Sequence, residues 1–360
     1  MDNTNRRKFT VTPEVALLLK GLIVGKIMTI VVIGGLFWWL LWPRLLWVGS
    51  SSSSFTNQSI KTNSASQLTF QTVSDVPIGS FKYGGSTTWA SIRQLVDSQI
   101  QNTRLELQLH YTDPTDGKPS SSTGIRMLLD GQLDFAQSSR PLTTEEKNTA
   151  KQRGFMLKQH QVGMDGIAVV VNPSLQVRGL TVNQLRQIYL GQLNNWKQVG
   201  GPDLTITPFA QPESDTDTVI FSANSKSNKQ GLASGVRYVS STTDALRQVN
   251  KTPGGVYYAS ARAVVPQCSV KPLPLGGQTP TKLISPYREP RVLPEQCPRQ
   301  RNQINTEAFK NGSYPLTAGL FVIVKQNNSQ QQQVAEAYTK LLLTDQGQNA
   351  IEQAGFIRMP

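Results

Sequence analysis

The chain repeats one construction three times within about seventy residues: a short strand pattern, a loop rich in Ser, Thr and Gly, then a helical stripe. Phe81-Lys82-Tyr83 runs into Gly84-Gly85-Ser86-Thr87-Thr88, after which Trp89, Ile92, Val96 and Ile100 recur at helical spacing. Leu105, Leu107 and Leu109 alternate as a strand with one buried face, and Ser120-Ser121-Ser122-Thr123-Gly124 opens the stripe Ile125, Leu128, Leu129. Leu133-Asp134-Phe135-Ala136 leads through Gln137-Ser138-Ser139-Arg140 to Thr143-Thr144-Glu145-Glu146, which has capping-box spacing. This order predicts an open α/β sheet with helices on its faces. In such sheets ligands sit beyond the carboxyl ends of the strands, where helix N-terminal amides and loop hydroxyls favour anions. One such segment is an ordinary N-cap; three together point to a small oxyanion site.

Further along, Gly166-Ile-Ala-Val-Val-Val-Asn172 reads as a strand buried on both faces. Thr181 to Gln184 starts a helix that Gly191 ends before Trp196. Gly254–Tyr258 and Leu320–Val324 are later strands, and Val334, Ala337, Tyr338, Leu341 and Leu342 mark a C-terminal helix. Pro266 to Arg301 is proline-rich and reads as an irregular surface excursion.

Before all this, Gly21–Trp42 is almost wholly apolar, with Lys26 its only charge. As a helix it would span about 33 Å, enough for the roughly 30 Å hydrocarbon core. Arg6, Arg7 and Lys8 precede it and tryptophans cluster at its far end, which favours an uncleaved signal anchor with a cytoplasmic N-terminus. The expected layout is a cytoplasmic segment (1–20), a transmembrane anchor (21–42) and a Ser-rich linker (43–78), with the remainder exported from the plasma membrane. Cys268 and Cys297, both exported, are then candidates for a disulfide; two free buried thiols are the alternative.

Composition removes other classes. Two cysteines and two histidines, His110 and His160, do not build a multi-ligand metal centre, and no cofactor motif occurs. The net charge of +13 is spread out, without a Lys/Arg run of five, so it favours a small anion or an anionic membrane surface over nucleic acid. No nucleophile elbow or Ser–His–Asp order supports an enzyme.

From Phe81 to the C-terminus the chain resembles the phosphate-binding substrate proteins of ABC transporters. The resemblance rests on Gly84–Trp89 (GGSTTW), Leu133–Thr143 (LDFAQSSRPLT), Gly166–Pro173 (GIAVVVNP), Leu180–Gly201, Gly254–Ser260 (GGVYYAS) and Tyr314–Lys325. It implies a two-lobe, type II periplasmic-binding-protein-like α/β fold, with lobe 1 over 79–162 and 313–360 and lobe 2 over 163–312. It also implies an oxyanion between the lobes and permease subunits as partners. Carried over by position, ligand contacts fall on Ser86, Thr87 and Thr88, on Ser121 and Ser122, and on Ser139 with Arg140.

The family's Asp at the third loop is replaced by Ser139. Its second-lobe Arg and Ser-Gly-Thr correspond to Ala210–Thr218, with Gln211 at the Arg position and Asp215, Thr216 or Thr218 in the remainder. Two readings follow. Arg140 supplies the missing positive charge to a site suited to phosphate or sulfate, or Asp215 and Asp217 face the cleft and oxyanion binding is lost. A rim or helix-cap position for the two aspartates favours the first. A sensor or scaffold on the same fold is the alternative to transport.

Overall fold

A polar alternation hides what an apolar run reveals, and the longest strand among the described residues illustrates this. The computed structural model describes residues 68–212, 215–221, 231–277, 282–297 and 299–359. β1 (Gly79–Gly85), β2 (Leu107–Tyr111) and β3 (Phe135–Ser138) alternate with helices as the sequence predicts. There follow β4 (Met156–Val171), β5 (Leu180–Thr181), β6 (Thr207–Ala210), β7 (Arg237–Tyr238), β8 (Gly255–Ser260), β9 (Lys271–Leu273), β10 (Leu275–Gly276) and β11 (Thr317–Gln326). The run at Gly166–Asn172 contains only the last part of β4, Gly166–Val171, and the strand extends over 16 residues. Its opening stretch, Met156–Gln161, mixes exposed and half-buried positions, so no continuous apolar signal marks it.

Among the described residues the strands are ordered β2-β1-β3-β11-β4-β8-β6-β7, with β9 also on β4 and β5 paired to β10. β1 is parallel to β2 and β3, β6 is parallel to β7 and β8, and β11 is antiparallel to both β3 and β4. The apolar side chains form separate cores around the two ends of β4. Near its Met156 end, the first core gathers Phe81, Tyr83, Trp89, Phe135, Val162, Leu320 and Tyr338, and a smaller cluster of Ile125, Leu128, Leu133, Phe321 and Ile323 adjoins it. Around its Val171 end, the second core gathers Ile167 to Val171, Tyr189, Trp196, Phe209, Tyr257, Phe309 and Ala318. The chain is thus a two-lobe α/β structure whose lobes share two adjacent strands. At the crossing the register shifts: Leu320 faces Gly163 but Phe321 faces Gln161, leaving Val162 as a surplus residue, a β-bulge.

Three sequence expectations change in detail. Trp89, Ile92, Val96 and Ile100 are fully buried as one stripe, but Leu105 is 79% exposed. The chain is still turning there, with Leu107 N–H donating to Arg104 O, and alternation begins only at Leu107. The expected linker ends early: Phe70 is fully buried, Val73 and Val76 pack on the first core, and Phe70 N–H donates to Gln346 Oε1 at 3.0 Å. The excursion after Pro266 is not wholly irregular, because Lys271–Leu273 pairs with β4 and Leu275–Gly276 with β5. Prolines 272 and 274 hide these short strands from a sequence reading. Cys268 and Cys297 are joined in a disulfide with Cα atoms 5.8 Å apart. The segment expected to be cytoplasmic (1–20), the apolar span (21–42) and most of the expected linker (43–67) lie outside the described residues. Among the described residues no helix is long and apolar enough to cross a membrane.

Candidate functional site

The three hydroxyl-bearing loops meet because two glycines allow it. Gly85, with φ +129°, ends β1, and a Cβ there would lie 2.1 Å from the Gln137 carbonyl oxygen. A Cβ on Gly124 would lie 2.4 Å from Gly85 Cα. Without side chains at either position, the first turn of the Ser121–Leu129 helix sits directly on the end of β1. Ser86 and Ser121 are fully buried there and Ser139 nearly so.

Each loop is fixed from behind. Ser86 N–H donates to Gln137 O at 2.9 Å, and Trp89 Nε1 donates to Ser138 O at 3.1 Å. Arg93 donates to Ser86 O and to Gln137 Oε1, both at 3.1 Å, while its guanidinium lies 4.0 Å from the Tyr111 ring centre. Ser120 caps its helix by accepting from Thr123 N–H, and Ser139 N–H donates to Ser121 Oγ at 2.9 Å.

What the three loops surround is a carboxylate of the protein itself. Asp215 begins the helix Asp215–Phe221, whose Ile220 is part of the second core. Its Oδ2 accepts from Ser121 Oγ at 2.7 Å, Ser139 Oγ at 2.8 Å, Ser86 Oγ at 3.0 Å and Ser121 N–H at 3.2 Å. Each hydroxyl carries a single proton, and all three can be donated to this one oxygen. Hydroxyls and a helix N-terminal amide converging on one oxygen make an anion pocket.

Arg140 stands at its edge. Its Nε is 4.0 Å from Asp215 Oδ1, but its Nη atoms bind Glu146 at 2.7 and 3.0 Å, and Nη2 also donates to Ser122 Oγ at 2.8 Å. Burial opposes the guanidinium charge, while the Glu146 pair and then Asp215 favour it, and the net shift is upward. Arg140 is therefore neither a solvated loop residue nor a free cation in the pocket; Glu146 balances it.

The remaining sequence candidates are placed elsewhere. Thr87 is exposed and Thr88 half-buried, lining an adjoining cleft of about 660 Å³ rather than touching the carboxylate. Ser122 is turned out to Arg140. Gln211 lines the cleft, and its Oε1 accepts from Tyr257 OH at 3.2 Å. Thr216 lines the same cleft, and Thr218 lies in the Asp215–Phe221 helix with its side chain outside the described residues. Of the two aspartates expected at the rim, Asp215 enters the pocket. Asp217 instead accepts from Tyr258 OH at 2.5 Å. Burial raises its carboxyl to about 6, against the Tyr258 hydrogen bond and with help from the Asp215 charge.

Sequence reasoning missed Glu146 as the partner of Arg140, because its capping-box role already accounts for it. It also missed Asp165, Tyr257 and Arg262 in the cleft wall. Asp165 is buried, accepts from Ser260 Oγ at 2.9 Å, and is raised to about 6 chiefly by that burial.

A family model described as a PBP superfamily domain matches residues 66–346. Phosphate-binding protein PstS of Staphylococcus aureus is 26% identical over 285 residues, 78% of this chain and 79% of that protein. PstS of Staphylococcus haemolyticus is 26% identical over 249 residues, 68% of this chain and 72% of its own length. An ABC-type phosphate transport receptor from Vibrio cholerae shares the fold with a TM-score of 0.60 at 23% identity, over 78% of this chain and 100% of that one. PstS from Borrelia burgdorferi does so with a TM-score of 0.51 at 20% identity, over 78% and 98%. With a family match over most of its length and two cores joined through β4 and β11, the chain belongs to the PBP superfamily.

Proposed function

We propose that the chain is a binding protein, not an enzyme: a membrane-tethered, exported substrate-binding protein of the phosphate ABC-transporter type. It takes phosphate or a related oxyanion between two lobes, 79–162 with 313–360 and 163–312, and presents it to permease subunits. The observation that carries this reading is the convergence of Ser86, Ser121 and Ser139 with the Ser121 amide on one anionic oxygen. The names of the curated relatives support the phosphate part and the apolar span at 21–42 the tethering part. The Cys268–Cys297 disulfide accords with an oxidising compartment.

Isothermal titration of the full-length chain in mild detergent with phosphate and sulfate tests the reading. Binding that weakens in Ser86→Ala and Ser139→Ala is the expected result. Absence of binding at millimolar anion, with and without Asp215, would overturn it. A second reading, a sensor or scaffold without transport, is favoured by the carboxylate already in the pocket. Recovery of a signalling partner and no permease from cross-linked membranes would select it.

A further inference from the structure

We infer that Asp215 is a tethered occupant of the anion pocket: its carboxylate takes the place of a free oxyanion, holds the lobes together without ligand, and must leave before an oxyanion enters. The inference rests on the oxyanion reading above and deepens it by naming the residue that sets affinity and couples it to lobe opening.

Three observations carry it. First, the donors are already engaged. Ser86, Ser121 and Ser139 can each give their one hydroxyl proton to Asp215 Oδ2, and the Ser121 amide points to the same atom. A free anion finds these donors only after the carboxylate withdraws.

Second, the nearest cation is not free to receive a second anion. Arg140 is paired through both Nη atoms with Glu146, so that pair is formally neutral and leaves the Asp215 charge without a dedicated cation in the pocket. Like charge at close range opposes a mono- or dianionic oxyanion beside it.

Third, the contact bridges the lobes. The three serines lie where β1 and β3 end and where the Ser121–Leu129 helix begins, beside the apolar clusters of the first lobe, whereas Asp215 begins a helix anchored by Ile220 in the second core. A group held on the same chain competes at an effective concentration far above that of a dilute ligand. A ligand that binds only the vacated state has its affinity lowered by the fraction of molecules in that state.

The test uses the full-length chain in mild detergent, titrated with inorganic phosphate, as the unaltered protein, Asp215→Asn and Asp215→Ala. Asparagine keeps the shape without the charge, and alanine removes the occupant, so either serves if the other folds poorly. Spin labels on Lys151→Cys and Lys251→Cys, exposed positions in the first and second lobes, report the interlobe distance. The expected result is phosphate binding at least about 10-fold tighter in both variants. In addition, Asp215→Ala without ligand shows a broadened distance distribution that phosphate narrows again. If the unaltered protein binds phosphate as tightly as both variants, or Asp215→Ala leaves the distances unchanged, the tethered occupant is refuted while the oxyanion reading stands. If none of the three proteins binds phosphate, the oxyanion reading itself falls and the inference with it.

Discussion

Asp97→Asn should remove a pH-dependent loss of stability from the first lobe. Asp97 is buried inside that core, where Oδ2 accepts from Tyr83 OH at 2.5 Å and Oδ1 from Tyr338 OH at 2.7 Å. Tyr338 OH in turn accepts from Gln137 Nε2 at 2.9 Å, and Gln137 is held by Arg93 behind the Ser86 loop. Burial raises the Asp97 carboxyl from 3.8 to about 6, although both tyrosine hydrogen bonds and the Arg93 charge work against the rise. The folded protein therefore holds this proton to higher pH than the unfolded chain does. Its contribution is full below the unfolded value of 3.8 and lost as pH rises to about 6. At about 1.4 kcal/mol per pH unit, that interval amounts to about 3 kcal/mol. Like the protonated acid, the amide keeps one carbonyl acceptor and presents a donor on the other branch, and it does not ionise. Urea unfolding followed by circular dichroism from about pH 4 to about pH 7 reads the effect. The difference in stability between Asp97→Asn and the unaltered protein should move by about 3 kcal/mol in favour of the variant as pH rises. A difference that stays constant across that range would refute the reasoning. Asp165 and Asp217, both raised to about 6, give the same sign.

Ser121→Ala removes a hydroxyl donor from the pocket and the acceptor of Ser139 N–H, and should weaken phosphate binding by about 10- to 100-fold in a calorimetric titration. Glu146→Gln leaves the Arg140 charge unbalanced beside the pocket and should tighten phosphate binding by about 10-fold, whereas an unchanged Kd would show that this charge does not reach the ligand. Replacing Cys268 and Cys297 together with serine reopens a loop of sequence separation 29 and should cost about 3–4 kcal/mol in urea unfolding, with phosphate affinity unaltered.

The strand–loop–helix order, and with it Ser86, Ser121 and Ser139, was legible because each serine stands where a strand end meets a helix start. That junction is governed by local rules: capping, glycine at a close approach, and the preference of helix amides for anions. Asp215 obeys no local rule. A carboxylate between sequence neighbours reads as repelled by an anion site, and only the packing of its helix turns it inward as the site's own occupant. Arg140 fails differently: the capping box explains Glu146 completely, so nothing in sequence suggests that it also neutralises an arginine six positions earlier. Phe70 was lost in a polar stretch, and the opening stretch of β4 in its mixed exposure, because both are defined by long-range partners.

The surplus residue Val162 has a mechanical consequence. Two neighbouring strands joined by a ladder resist shear and stretch, yet where the ladder skips a position it loses stiffness locally. Bending of β4 and β11 therefore costs least at that skipped rung, between the apolar clusters of the two lobes.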